Sequence, residues 1–471
     1  MVRSFSTVRT KGVARGRVPY KFLMPSARDL AAELLLRLDR KGGRVKDGLE
    51  RARSRLTDPR ERALLTELAY GTVRRRGTLD ALIGVFSKRP VPKLNASIRT
   101  ALRMGTYQLF FLDRVPNHAV VDHAVGWASK HAGARRAGFV NGVIRNLIRG
   151  IEGPAAGTEK PRRDVPREDG SAVRMKRGTF ADPSTNLAGN LAARYAMPQS
   201  LVERWLATFG DARTGQILRT AIARPPLTLR ARTDRDALAA ALTEREIEHE
   251  VGPGPAAVRM QGGEGAIEEL LASGLATVQD ATSQRVVPLL PLEPGMRVLD
   301  LCAAPGGKTL HIADRLGTGT VVACDVEAHK LEGLRALASR MGDVALEVVE
   351  VPAEGALPFE PASFDAVLVD APCTNTGVLA RRVEARWRAK PDDAARMAAV
   401  QGDILERALP LLKPGGTLVY STCSIEPEEN SGVFETFVAR HDDVDGEIAF
   451  RAWPTSDHDG GFAAVLRRAA T

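Results

Sequence analysis

Apolar residues between Ala27 and about Arg149 recur at three- and four-residue spacing, as Leu30, Leu34, Leu35 and Leu38, then as Leu64, Leu65, Leu68 and Ala69. That is the period of one face of an α-helix, and no alternating pattern interrupts it, so residues 25–150 predict an all-α domain. Over 151–180 Pro, Gly and charged residues replace the apolar ones, which predicts an exposed, flexible linker. Helical spacing returns over 186–224, and the alternating run Leu227-Thr228-Leu229-Arg230-Ala231-Arg232 then predicts a strand. Residues 181–285 therefore read as a small α+β subdomain.

Six strand-like apolar runs follow: Arg297–Leu301, Thr320–Asp325, Leu346–Val351, Phe364–Asp370, Thr417–Ser421 and Phe462–Leu466. They alternate with helical stretches, the pattern of a largely parallel sheet covered on both faces. Residues 286–471 thus predict an α/β, Rossmann-like domain.

Composition narrows the setting. A chain of 471 residues exceeds one ordinary core, in keeping with several domains. No apolar stretch approaches the ~20 residues needed to span a bilayer, so no membrane partner is expected. Lys and Arg exceed Asp and Glu by 67 to 57, a net +10 that favours a polyanionic partner. Only four cysteines occur and none form a CxxC pair, which argues against a disulfide framework or a zinc site and points to a reducing cytoplasm. Residues 1–23 hold six basic side chains and no acid, predicting a disordered basic arm over 1–24, with a transit-like segment or a start at Met24 as alternatives.

The chemistry lies in three loops at strand ends. Cys302-Ala303-Ala304-Pro305-Gly306-Gly307-Lys308-Thr309 brings flexible backbone and a helix start close to a ligand. It is not a Walker A loop, because Cys302 stands where the first glycine is required. Asp325 ends the next strand, nineteen residues beyond Gly306, where an acid can accept both ribose hydroxyls of a nucleoside cofactor; its plain alternative is a helix N-cap. Asp370-Ala371-Pro372-Cys373 and Ser421-Thr422-Cys423-Ser424 each place a cysteine just past a buried strand. A thiolate is the common side chain able to add to a pyrimidine ring.

These motifs, in this order and spacing, resemble the NOL1/NOP2/Sun family of RNA cytosine-C5 methyltransferases. Arg103-Met104-Gly105-Thr106-Tyr107-Gln108-Leu109, Val115-Pro116-Asn117-His118 and Phe139-Val140-Asn141-Gly142-Val143-Ile144-Arg145 are similar to the NusB-like domain, a combination that resembles the family's RsmB (Sun/Fmu) type. The resemblance covers roughly residues 27–468. It implies S-adenosyl-L-methionine as cofactor, held by Cys302, Ala303, Ala304, Pro305, Gly306, Gly307, Lys308, Asp325 and Asp370. It implies 16S ribosomal RNA as partner, and a monomer without metal is expected.

By the same resemblance Cys423 is the nucleophile that adds to C6, Cys373 assists product release, and Asp370 bonds the cytosine edge, a role in which burial would keep it protonated. An ordinary thiol is only a few per cent ionised at neutral pH, so Cys423 needs help; the possible helix start at Pro427-Glu428-Glu429 suggests a dipole. Cys324 reads as a small buried apolar residue. Arg381, Arg382, Arg386 and Arg388 either track RNA phosphates or form a solvated basic face, and His118 and His123 are structural or RNA-contacting. One position departs from the family: Val351 stands where an acid usually faces the adenine, with Glu350 and Glu354 beside it. The alternatives are a methyltransferase of another RNA or of DNA, in which Cys373 would be the nucleophile, and a non-catalytic NusB-like RNA-binding factor.

Overall fold

The computed structural model describes residues 25–252, 254–261 and 267–470; the basic arm expected over 1–24 lies outside the described residues. Seven helices fill the first domain: Ala27–Lys41, Val45–Arg53, Pro59–Arg74, Arg76–Phe86, Ala96–Phe111, Asn117–Ala132 and Ala134–Gly150. The first is set by a capping box, in which the Ser26 side chain accepts from the Asp29 N–H and Asp29 reaches back. Its period-3.6 stripe of Leu30, Leu34 and Leu35 is buried against Leu65 and Leu68 of the third helix, as the spacing predicts.

Residues 151–180 differ from the expected linker. They form a three-stranded antiparallel sheet of β1 (Ile151–Ala155), β2 (Asp164–Pro166) and β3 (Ala172–Met175), ordered β1-β3-β2. The few apolar residues there, Val165, Val173, Met175 and Phe180, all join the helical core. The fully buried Asp164 accepts from Arg174 Nε at 2.6 Å and from the Lys160 N–H at 2.7 Å. Polar composition suggested exposure, but a handful of inward-facing residues and a satisfied buried acid suffice for order.

The next region splits in two. Helices Leu187–Arg194 and Gln199–Ile222 share a core that includes Leu379 and Ile425 of the last domain. Strands β4 (Leu227–Ala231), β5 (Glu248–Val251), β6 (Ala257–Gln261) and β7 (Ala276–Val278) form an antiparallel sheet, ordered β5-β6-β4-β7, with its own core.

The last domain holds seven strands: β8 (Arg297–Asp300), β9 (Gly319–Asp325), β10 (Val344–Glu350), β11 (Phe364–Asp370), β12 (Leu412–Thr422), β13 (Val444–Ala452) and β14 (Gly461–Arg468). Their order is β10-β9-β8-β11-β12-β14-β13, parallel except for β14, which runs antiparallel to both neighbours. Strand order reverses between β8 and β11, and ligands of such sheets bind past the carboxyl ends at that switch point. Strand β13 was not anticipated. Its inward residues alternate, but Gly446 and intervening charges dilute the signal at the sheet edge.

Candidate active site

The switch point gathers the three loops. Past β8, Gly306 adopts φ 98°, a left-handed conformation suited to glycine; a Cβ there would meet Leu337 Cδ1 at 2.2 Å. The turn leads into helix Gly307–Leu316, whose N-terminus carries no side-chain cap. Asp300 at the end of β8 is fully buried. Its Oδ2 accepts from Thr309 Oγ1 at 2.7 Å, whereas Oδ1 has no hydrogen-bond partner among the described residues, and burial raises its pKa to about 7. Asp300 was missed by sequence reasoning, although it directly precedes Leu301-Cys302. Cys302 and Cys324 are pushed up by burial, which keeps both as thiols.

At the end of β9, Asp325 Oδ1 accepts the Glu327 N–H at 3.0 Å in a turn before the helix Ala328–Arg335, whose N-cap is Glu327, so Asp325 is not the N-cap offered as its alternative. No second oxygen of Asp325 is engaged among the described residues. The pairing of β10 with β9 runs without a bulge, placing Glu350 opposite Asp325 and burying Val351 beyond it. Glu350 and Glu354 are exposed.

Strands β11 and β12 pair Asp370 with Ser421, and the Ser421 hydroxyl donates to Asp370 Oδ1 at 2.8 Å. Lys308 Nζ lies 2.6 Å from Asp370 Oδ2. Burial opposes the charge on Lys308, but Asp370, with Cys423 and Asp300 nearby, reverses the balance and raises its pKa. Asp370 is only partly buried, and both of its oxygens are engaged, one by Lys308 and one by Ser421.

The parallel register carries both cysteines to one point, with Cys373 Sγ and Cys423 Sγ 3.2 Å apart. A hydrogen bond from Cys373 lowers the Cys423 pKa, aided by the charges of Arg382 and Lys308 against burial and Asp370. The same hydrogen bond, with burial and the charge of Glu429, pushes the Cys373 thiol well up. The pair is thus polarised, with Cys423 the readier of the two to lose its proton. The segment after Cys423 is a single 3-10 turn, Pro427–Glu429, so the anticipated helix dipole gives way to the Cys373 thiol and two cations.

The loops are cross-braced. Gly377 N–H donates to the Cys423 carbonyl at 3.0 Å, and a Cβ on Gly377 would meet backbone oxygens of Gly460 and Cys423 below 3 Å. The buried Glu429 accepts from the Thr374 N–H at 2.9 Å, Ser424 Oγ at 2.7 Å and Gln401 Nε2 at 3.0 Å. Gln401 also donates to the Pro372 carbonyl. Such second-layer residues leave little trace in a single sequence.

The arginines part ways. Arg386 is fully buried, donating to the carbonyls of Ala221 at 2.7 Å and Leu379 at 2.6 Å, which overturns both readings offered for it. Arg381 is held by Asp280 and Asp459. Arg382 is exposed and reaches Asn375 beside Cys423. In the helical domain His118 is exposed, while His123 lies 3.4 Å from Asp29.

Comparison with known proteins decides the family. Residues 287–463 match the model of the 16S rRNA methyltransferase RsmB/F, and residues 25–149 match the NusB family. A probable ribosomal RNA small subunit methyltransferase B of Bacillus subtilis is 33% identical over 431 residues, covering 90% of each chain. The chain belongs to the RsmB/F family of 16S rRNA methyltransferases. The ribosomal RNA small subunit methyltransferase B of Klebsiella pneumoniae is likewise 33% identical, over 89% of this chain and 90% of its own. The crystal structure of PH0851 shares the fold, with a TM-score of 0.74 at 23% identity over 93% of this chain and 98% of its own.

As a member of this RsmB/F family, the protein is an S-adenosyl-L-methionine-dependent enzyme with a NusB-like N-terminal domain. The residues present fit the cofactor: an uncapped helix N-terminus with open space at Gly307, an orphaned buried acceptor at Asp300 Oδ1, and Asp325 one strand away. Among the described residues no helix is long and apolar enough to cross a membrane, and no cluster of metal-ligating side chains occurs.

Proposed function

We propose that Cys423 is the nucleophile that adds to C6 of a cytosine in 16S ribosomal RNA, and that Cys373 is the group that assists release of the C5-methylated product. The observation that carries this assignment is the 3.2 Å contact between the two sulfurs, with the Cys423 pKa lowered and that of Cys373 raised. The DNA alternative would require the reverse ordering, because there Cys373 must attack.

The steps follow from this polarity. The Cys423 thiolate forms a C–S bond at C6, and the electron pair released into the ring makes C5 enamine-like. The bound cofactor supplies an electrophilic methyl group on a sulfonium. Lys308, held in place by Asp370, meets the negative charge that develops at the ring edge. A solvent water takes the C5 proton, and the electron pair left at C5 re-forms the C5–C6 double bond and expels the Cys423 thiolate, which Cys373 receives again with its S–H hydrogen bond. The glycine loop, Asp300 and Asp325 orient the cofactor, while Arg382 and Arg388 meet RNA phosphates; the enzyme works as a cytoplasmic monomer.

The test uses RNA carrying 5-fluorocytosine, in which C5 has no removable proton and the adduct persists. A crosslink to Cys423, lost in Cys423→Ala with cofactor binding intact, is expected. A crosslink to Cys373, or full activity of Cys423→Ala, refutes the assignment.

A further inference from the structure

The cavity beside Cys423 has a second acid that the chemistry above does not use. Asp459, in the turn between β13 and β14, lines that cavity together with Cys423, Lys308 and Asp370. Both oxygens of Asp370 are already engaged, one by Lys308 and one by Ser421. Asp459 is different. Its Oδ2 accepts from Arg381 Nε at 2.7 Å, while Oδ1 accepts no hydrogen bond from the described residues.

The side chain is firmly placed. Arg381 also bonds Asp280 Oδ2 at 3.1 Å, the Asp459 N–H donates to Asp280, and the Thr282 hydroxyl donates to the Asp459 carbonyl at 2.7 Å. Asp459 is 7% exposed, and burial raises its pKa to about 7 against the opposing charge of Arg381. A buried carboxylate with a spare acceptor gains from a ligand N–H.

We propose that Asp459 is a specificity residue that accepts the exocyclic 4-amino group of the target cytosine and thereby excludes uracil. Uracil presents a carbonyl oxygen at that position, an acceptor facing an acceptor. Sites built around one buried hydrogen bond discriminate strongly, because the wrong partner leaves a buried group unpaired. The proposal rests on reading the Cys423 cavity as the seat of the target base.

Arg381 gives the test its polarity. In Asp459→Asn the guanidinium demands an oxygen, so the amide must turn its NH2 toward the cavity. That donor mismatches cytosine and matches uracil. Holoenzyme variants are assayed on matched RNAs carrying cytosine or uracil at the target, by methyl transfer and by trapping with 5-fluorocytosine or 5-fluorouracil. Asp459→Asn is expected to lose on the order of 100-fold in kcat/KM on cytosine and to shift its trapping preference toward 5-fluorouracil. Asp280→Asn disturbs the brace of Arg381 and the Asp459 N–H but leaves the Asp459 carboxylate, so it is expected to lower kcat/KM on cytosine without shifting the trapping preference toward 5-fluorouracil.

Two results overturn the proposal: Asp459→Asn retaining wild-type cytosine preference, or Asp280→Asn shifting the trapping preference toward 5-fluorouracil as far as Asp459→Asn does, which would make the cluster merely structural. Cys423→Ala, run in parallel, separates the readings. If it stays active, the cavity itself is misassigned; if it is dead while Asp459→Asn is normal, only the role of Asp459 fails.

Discussion

Asp300→Asn sets stability against cofactor binding. The wild-type carboxyl is fully buried, with a pKa raised from 3.8 to about 7, chiefly by burial. A folded acid with a raised pKa binds its proton more tightly than the unfolded chain does. The penalty is therefore absent below the unfolded pKa, grows as pH rises from 3.8 toward 7, and is full above 7. A shift of this size corresponds to about 4 kcal/mol at alkaline pH. The asparagine oxygen keeps the Thr309 hydroxyl bond, but its NH2 replaces the orphaned Oδ1 and costs about 1–3 kcal/mol at every pH. The variant's advantage over wild type should thus grow by about 2–3 kcal/mol between pH 5 and pH 8. The assay is urea-dependent hydrogen exchange of the β8 and β11 amides, which isolates this domain from the others. A difference that stays flat from pH 5 to pH 8 would refute the burial argument. Calorimetry on the same variant should show weakened S-adenosyl-L-methionine binding, since Oδ1 is the acceptor it removes.

Three further outcomes follow from the site and its supports. In Cys373→Ala the thiolate of Cys423 loses its main hydrogen bond, so the midpoint of iodoacetamide alkylation at Cys423 should move to higher pH; an unchanged profile would remove Cys373 from the activation. Arg386→Ala should destabilise the protein by at least about 3 kcal/mol with an unchanged salt slope of RNA binding, because it strands carbonyls of several segments. Arg382→Ala should leave stability within about 0.5 kcal/mol and reduce the salt slope by about one, measured by filter binding across salt concentrations.

Much of the fold was legible where residues repeat with a period. The six anticipated strands are all present, and the stripe Leu30, Leu34 and Leu35 is buried as its spacing requires. Failures occurred where few residues carry much structure. Residues 151–180 looked like a linker because Val165, Val173 and Met175 are sparse, yet each lands on the helical core. Arg386 sits in a basic run, but it is the buried one, since its backbone-carbonyl partners come from segments distant in sequence.

Loop motifs, unlike their supports, announce themselves because their chemistry permits few residue types. The glycine loop, Asp370, Cys373 and Cys423 belong to that class and could be picked out of the chain as candidates, with their roles implied by the family resemblance. Tertiary structure decided what those residues have around them: the 3.2 Å sulfur contact, the Lys308–Asp370 ion pair, the Glu429 brace and the spare oxygen of Asp459. Periodicity and motif spacing are local properties that one chain can carry. Polarisation of a thiol pair, or the commitment of one carboxylate oxygen and not the other, depends on partners that only the folded sheet brings within hydrogen-bonding distance.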